Sequence, residues 1–415
     1  MRHVLFSYHT CPLEEPGTGL AGGMNVFLRG LLSGLASHGI ETDVLTRGEG
    51  KAVEVTRPYR GVRVVHIPCG WEKPSSREGA FRALPRFIDK AGEILRERGD
   101  PPDAVSAHYW MSGVAARDAW PWKRPPEVVF TYHTVETLKP GPAGGPPGGL
   151  TVARRTAETR IAREARRIVF LSEHDLAATE ETLPGASGKG VVIPPGVDDA
   201  FRLPPPREEG RRAFGIPAGA FLFLLAARPD AGKNVPAAVE AFSAVRGEGR
   251  REALLLVAGQ PPPGGVAPGG VVFTGPVPHE TMPSLLSAAD AVLCPSSYES
   301  FGLVPLESMA AGVPVIVPRD GHWGKTVSRE GGGIVYSPAS PQGLPAAMAE
   351  MMKEGAARVG MAREGKRIAS RFTWKRCTAS WARLLSSASM RGSRRGTPRA
   401  PAARRRPSSG RRDAS

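Results

Sequence analysis

Glu299-Ser300-Phe301-Gly302-Leu303-Val304-Pro305-Leu306-Glu307, continued by Ala310-Ala311-Gly312-Val313-Pro314-Val315-Ile316, is the stretch from which the rest of the chain can be read. Two carboxylates stand eight positions apart. A Phe-Gly pair between them opens a helix, and a Gly-Val-Pro turn leads on into an apolar strand. The start of a helix leaves backbone N–H groups free and presents a positive dipole end to an anion. The carboxylates accept hydrogen bonds from sugar or ribose hydroxyls. The segment therefore reads as a site for a ligand that carries both hydroxyls and phosphate. The plainer alternative is a helix with a solvated acidic face.

Outward from this segment the same strand-helix rhythm repeats. Apolar runs at 4–8, 42–46, 62–67, 104–107, 128–132, 168–171 and 191–193 predict strands, with helices at 24–37, 81–98, 113–119, 152–165 and 175–181. After a turn-rich link around Pro194–Asp198 the rhythm restarts. Strands are expected at 221–226, 254–258, 271–274, 291–294 and 313–317, and helices at 234–245, 279–288 and from Gly302. Such alternation means α/β, with parallel sheets covered by helices on both faces. At 415 residues the chain exceeds one ordinary core. Two domains are expected, 1–198 and 199–371, with helices over 341–388 and a tail at 389–415. A ligand between the domains would lie beyond the carboxyl ends of the strands.

Composition excludes several classes. The four cysteines (Cys11, Cys69, Cys294, Cys377) are scattered, without metal-clip or redox spacing, which points to a reducing cytosol. The N-terminus enters a strand directly, and no apolar run is long enough to span a bilayer. Net charge is +15, but residues 391–415 hold nine Arg and one Asp, so +8 of it belongs to the tail. That tail cannot bury a core. It is read as a solvated segment; a weak electrostatic contact with anionic lipid at the inner membrane face stays open, and no specific nucleic-acid reader is expected.

Three further clusters join the opening stretch. Strand 4–8 runs into a Gly-rich loop ending in Gly22-Gly23-Met24-Asn25, where glycine lets backbone N–H groups approach a phosphate. Its spacing is not that of the dinucleotide fingerprint. Arg228 and Lys233 stand five apart between a strand and a helix. Cations at a helix start oppose the dipole, so a bound anion explains them better. His108-Tyr109-Trp110 and Thr131-Tyr132-His133-Thr134 end two strands of the first domain.

Together these motifs resemble those of retaining glycosyltransferases that use nucleotide sugars. The run from His9 to Arg47 is similar to the opening of the inositol-phosphate N-acetylglucosaminyltransferases and sucrose-phosphate synthases, with Leu20-Ala21 where a polar or acidic residue is common. Ala226-Ala227-Arg228-Pro229-Asp230-Ala231-Gly232-Lys233 is similar to their Gly-Arg-…-Lys signature, with Ala227 where Gly is usual. The resemblance covers nearly all of residues 1–385. It implies two facing Rossmann-like domains (GT-B type) with a C-terminal helix, about 372–388, crossing back to the first domain. It implies a nucleoside-diphosphate sugar donor, a UDP-sugar foremost, a hydroxyl acceptor, and no metal or other cofactor. For the donor it implies Gly22, Gly23, Arg228, Lys233, Phe301, Gly302 and Leu303 around the diphosphate, Glu299 on sugar hydroxyls and Glu307 on ribose. His133 would assist at the sugar, and Arg228, Lys233, Glu299 and His133 would carry catalysis.

Where the acceptor is an inositol phosphate, Tyr109, Thr134 and Arg154 would hold its phosphate, with Arg155 the alternative to Arg154. A further cation from Lys73, Arg77 or Arg82 would join them. The loop 140–149 would be a lid or a passive linker. Asp320–Lys325 departs from the resembling family: Lys325 replaces a carboxylate and Trp323 adds bulk, which would alter donor-sugar preference. A transferase for lipid-linked or polymeric glycan, such as a mannosyltransferase using GDP-mannose, is the alternative. A non-catalytic sugar-nucleotide binder is the alternative of another class. A glycosidase fits poorly, because Glu307 inside a helix beside a phosphate site cannot flank a scissile glycosidic bond.

Overall fold

A parallel strand covered on both faces has to be apolar along its whole length, and two sets of such runs build two sheets. The computed structural model describes residues 1–70, 76–139, 147–228, 230–246, 252–261, 267–353 and 355–393. Lys73, most of loop 140–149 and nearly all of the tail 389–415 lie outside the described residues.

The first sheet has eight strands: β1 (Arg2–Phe6), β2 (Glu41–Gly48), β3 (Glu54–Thr56), β4 (Val62–Pro68), β5 (Ala104–His108), β6 (Val128–Thr131), β7 (Arg167–Phe170) and β8 (Gly190–Val192). Their order is β3-β4-β2-β1-β5-β6-β7-β8, parallel except where β3 runs antiparallel to β4. The second has six: β9 (Phe221–Ala226), β10 (Ala253–Ala258), β11 (Val271–Phe273), β12 (Ala291–Leu293), β13 (Val315–Pro318) and β14 (Gly333–Tyr336), in the order β11-β10-β9-β12-β13-β14. In each sheet the chain first winds outward from its opening strand and then returns to that strand's other side. The reversal falls between β1 and β5 in one sheet and between β9 and β12 in the other. Open α/β sheets hold their ligands at such switch points, beyond the carboxyl ends. The loops after β1, β5, β9 and β12 carry His9, Tyr109, Arg228 and Glu299. The fold is thus the expected α/β pair of facing Rossmann-like domains.

The last helix, Trp374–Ser393, packs on the first domain against the helix Gly23–Ser37. Two glycines make this close approach: a Cβ on Gly30 would come within 2.3 Å of Trp374 Cε2, and one on Gly34 within 2.1 Å of Thr378 Cγ2. Trp381 is fully buried there, edge-on to Phe27 at 6.5 Å. The chain returns by bonds to the first domain's final segment. Trp374 Nε1 donates to Asp198 Oδ1 at 2.6 Å, and Val197 N–H to the Phe372 carbonyl at 3.2 Å.

Candidate functional site

The glycine loop after β1 is held in shape from within. Asn25 Nδ2 donates to the Cys11 carbonyl at 2.6 Å, while its Oδ1 accepts from Gly22 N–H at 2.9 Å. Arg29 donates to the carbonyls of Pro12, Leu13 and Glu14. The loop thereby delivers Gly22 and Gly23 to the second domain. A Cβ on Gly22 would sit 3.1 Å from Arg228 Nε, and one on Gly23 would touch Leu303 Cδ1 at 3.6 Å. Arg228 Nη1 donates to the Leu20 carbonyl at 3.1 Å. Burial lowers the Arg228 pKa, although a guanidinium stays charged in proteins.

On the second domain, Lys233 Nζ donates to Glu299 Oε1, so the expected phosphate cation and sugar carboxylate are neighbours. The helix Leu303–Ala311 begins at Gly302, whose φ of +86° is open to glycine and strained for other residues. Glu307 lies within that helix, buried, and accepts from His279 Nε2 at 3.0 Å. Burial opposes a charge on His279, but the Glu307 hydrogen bond and charge, with Asp198 and Glu15 behind it, raise its pKa. His279 N–H donates to Glu15 Oε1 at 2.9 Å, which ties this carboxylate's partner back to the glycine loop.

The first domain supplies a second constellation. Tyr109 and His133 both adopt left-handed backbone, φ +74° and +59°, a strained state that only a well-packed surrounding maintains. His133 Nε2 lies 3.1 Å from His108 Nδ1, and burial lowers the His133 pKa to about 3, so its ring is neutral. Arg154 gathers Tyr109 and Thr134 as expected. Its Nη1 donates to Tyr109 Oη at 2.9 Å, and its Nη2 to the Thr134 carbonyl and Oγ1 at 2.6 and 3.0 Å. Its Nε donates to Glu158 at 2.7 Å, and Nη1 also reaches Glu136 at 3.0 Å. All five N–H donors of a guanidinium are thus occupied by the protein. Arg154 thereby braces the residues around it.

Arg155 and Arg82 are exposed. Arg77 is the candidate cation in the cleft, with Nη2 2.8 Å from Asp230 Oδ2 across the domain junction. Trp323 is buried behind the Gly302 helix start, donating to the Gly302 carbonyl at 2.8 Å and packing edge-on to Phe301 at 5.1 Å. Lys325 is exposed, on the side of His174 in the first domain. A hollow of about 730 Å³ lined by Asp43, Tyr59, Arg63 and Arg98 lies at the amino ends of the strands, away from all of these groups.

A belt missed by sequence reasoning joins the domains beside the site. Ser300 Oγ donates to the His133 carbonyl at 2.6 Å, Ser172 Oγ to the Ser300 carbonyl at 2.7 Å, and Tyr298 Oη to Asp175 Oδ1 at 2.8 Å. Burial raises the Asp175 carboxyl to about 7 against the pull of the Tyr298 bond. Its pKa in the unfolded chain is about 3.9. The folded state therefore holds the extra proton between those values, and that stabilisation is full below about pH 4 and lost as pH rises through about 7. The stability of the wild type relative to Asp175→Asn should fall across about pH 4 to 7, by at most about 1.4 kcal/mol per pH unit, read as a declining thermal midpoint. Parallel pH profiles for the two proteins would refute this.

Among the described residues, no group of three His, Cys, Asp or Glu is arranged to hold a metal ion, and no helix is long and apolar enough to cross a membrane.

Residues 21–201 match the model of Glycosyltransferase Family 4, and residues 206–368 that of Glycosyl transferases group 1. The D-inositol 3-phosphate glycosyltransferase of Saccharomonospora viridis is 31% identical over 91% of this chain and 92% of its own length. That of Corynebacterium urealyticum is 29% identical over 93% and 96%. Among solved structures, sucrose-phosphate synthase from Thermosynechococcus elongatus superposes with a TM-score of 0.79, 24% identity, and coverage of 93% of this chain and 98% of that one.

Proposed function

This chain belongs to the glycosyltransferase family that includes the D-inositol 3-phosphate glycosyltransferases, and from that premise we propose that it moves a sugar from a nucleoside diphosphate to a hydroxyl of a small phosphorylated polyol or sugar, with retention at the anomeric carbon. A UDP-sugar is the foremost donor. The observation that carries this reading is the meeting of Gly22 with Arg228 across the domain junction, with Leu303 at Gly23 and Lys233 on Glu299.

In this reading the bond between the anomeric carbon and the diphosphate oxygen breaks while the acceptor oxygen bonds to that carbon. Negative charge grows on the departing diphosphate. Arg228, Lys233 and the backbone N–H groups at Gly23 and at the Gly302 helix start would face the place where that charge develops, and each such donor contributes about 3 kcal/mol. Glu299 leaves Lys233 for the sugar hydroxyls as the phosphates arrive. Phe301, packed on Trp323, holds the turn before the helix. Neutral His133 acts as a hydrogen-bonding group at the sugar and adds no cation. The acceptor lies on the first domain, beside Tyr109 and Thr134. The tie between the domains excludes water, which favours transfer over hydrolysis.

Incubating the purified protein with a panel of nucleotide sugars, alone and with phosphorylated and unphosphorylated polyols, tests the proposal. Transfer confined to phosphorylated acceptors is expected. A protein that neither binds nor consumes any nucleotide sugar would overturn it. Glu307 supplies a narrower check: Glu307→Gln should raise the donor KM about tenfold or more, with a smaller change in kcat, since ribose contacts persist from ground state to transition state. An unchanged donor KM would remove Glu307 from the ribose.

A further inference from the structure

We propose that the hollow at the amino ends of the first sheet's strands is a binding site for an organic diphosphate, separate from the cleft between the domains. The hollow measures about 730 Å³, within the range of pockets that take small molecules. Backbone bonds build it. Thr42 N–H, near the start of β2, donates to the Gly61 carbonyl at 2.8 Å, and Val62 N–H, which opens β4, donates to the Tyr59 carbonyl at 3.0 Å. Gly61 turns the chain with a φ of +78°, in the left-handed region that suits glycine. The turn 57–61 between β3 and β4 is thereby pinned across the end of β2 and forms one wall. Arg2, which opens β1, and Arg98, which follows the helix Arg77–Glu97, stand elsewhere in the lining.

Five arginines line this space: Arg2, Arg57, Arg60, Arg63 and Arg98. Five guanidiniums against the two carboxylates of Glu41 and Asp43 leave the lining at +3. Asp43 is used twice, its Oδ1 by Arg63 Nε at 3.1 Å and its Oδ2 by Arg98 Nη1. Arg2 Nη2 donates to the Pro101 carbonyl at 3.1 Å. Arg57 and Arg60 are exposed, and neither has a hydrogen bond or an ion pair among the described residues. Like charges gathered around a concave wall repel one another and focus a positive potential into it. Such an arrangement is unfavourable for the empty protein and favourable for an anion. A phosphate monoester, at about −2, leaves part of that charge unmatched, and the second phosphate of a diphosphate supplies the rest. Two guanidiniums three positions apart on one turn can each fork onto one phosphate. Tyr59, half-buried in the same wall, supplies apolar surface for the organic group. The concave shape favours a small ligand over a bilayer surface.

The test is hydrogen exchange on the full chain titrated with inorganic pyrophosphate. It compares the wild type, Lys233→Ala, which removes a cation from the cleft between the domains, and the double variant Arg57→Ser/Arg60→Ser. Both arginines are exposed, so the double variant is expected to unfold within about 2 °C of the wild type. Pyrophosphate should slow exchange at the amides of residues 59–63 in the wild type and in Lys233→Ala alike. In the double variant the same protection should need at least about tenfold more pyrophosphate, the loss of charge-assisted contacts. The proposal is overturned if residues 59–63 gain no protection in the wild type, or if the double variant needs no more ligand than the wild type. It is overturned as well if sodium chloride of equal ionic strength reproduces the protection, since the arginines are then a diffuse basic patch. Anionic phospholipid vesicles that protect residues 59–63 where pyrophosphate does not would also overturn it, and would assign this face to a membrane surface. None of these readouts depends on sugar transfer, so this site and the proposed function stand or fall separately.

Discussion

Arg228→Ala and Lys233→Ala should each lower kcat/KM for sugar transfer by about a hundred- to a thousandfold, the effect of removing one fixed donor from a developing negative charge. The two losses have different origins. Arg228 stands over Gly22 and also bonds to Leu20, so its removal takes away both a phosphate donor and a contact between lobes. Lys233 is held by Glu299, so its removal leaves a carboxylate without its cation beside the incoming phosphates. Arg228→Lys should recover little, because an ammonium cannot reproduce the planar fork that fits above a glycine. Steady-state kinetics, with thermal unfolding to confirm that each variant is folded, decide the matter. Full activity in either alanine variant would defeat the assignment.

Gly34→Val should damage folding severely. The added Cβ would overlap Thr378 at 2.1 Å on its Cγ2 and 2.6 Å on its Cβ. The two helices meet along this line, and Trp374 and Thr378 are fixed there, Trp374 by Asp198 and Thr378 by its own hydroxyl bond to the Trp374 carbonyl. Overpacking of this kind costs about 3 kcal/mol or more, and the last helix would separate from the first domain. A fall in the thermal midpoint of about 10 °C, or insoluble expression, is the expected result. Gly360→Ala is the control, since nothing lies within 4 Å of where its Cβ would stand, in the helix Gly355–Ala369. A midpoint for Gly34→Val within about 2 °C of the control would show that the helix contact is looser than it looks.

The strand-helix rhythm was legible because parallel strands are apolar from end to end: Phe221–Ala226 is a run of six apolar residues, and the strand has those bounds. What escaped had no such pattern. Glu54–Thr56 is an exposed antiparallel edge strand, and Gly333–Tyr336 is a short strand that begins on the last of three glycines. The helix Trp110–Asp118 begins three residues before the expected start because Trp110 and Met111 resemble the end of the preceding strand.

At the site, the residues brought together by local loops were readable: Gly22-Gly23, Arg228 with Lys233, and Glu299 with Glu307. Residues whose role comes from distant partners were not. His279 meets Glu307 across 28 positions and Tyr298 meets Asp175 across 123, and no local motif announces either pair. Arg154 shows the converse limit. Its place beside Tyr109 and Thr134 was expected, but only the geometry reveals that Glu136 and Glu158 already occupy it.

The dependence of the first lobe on the final helix has a consequence for how the chain is made. Translation releases residues 1–198 roughly 10 to 35 s before Trp374, at about 5–20 residues per second. Throughout that interval the groove at Phe27, Gly30 and Gly34 has no cover, so the nascent lobe presents bare apolar surface to the cell. Messages cut short before Trp374 should therefore yield aggregates or chaperone clients. Two polypeptides severed near residue 203 should find one another in solution, the second delivering its terminal segment to the first.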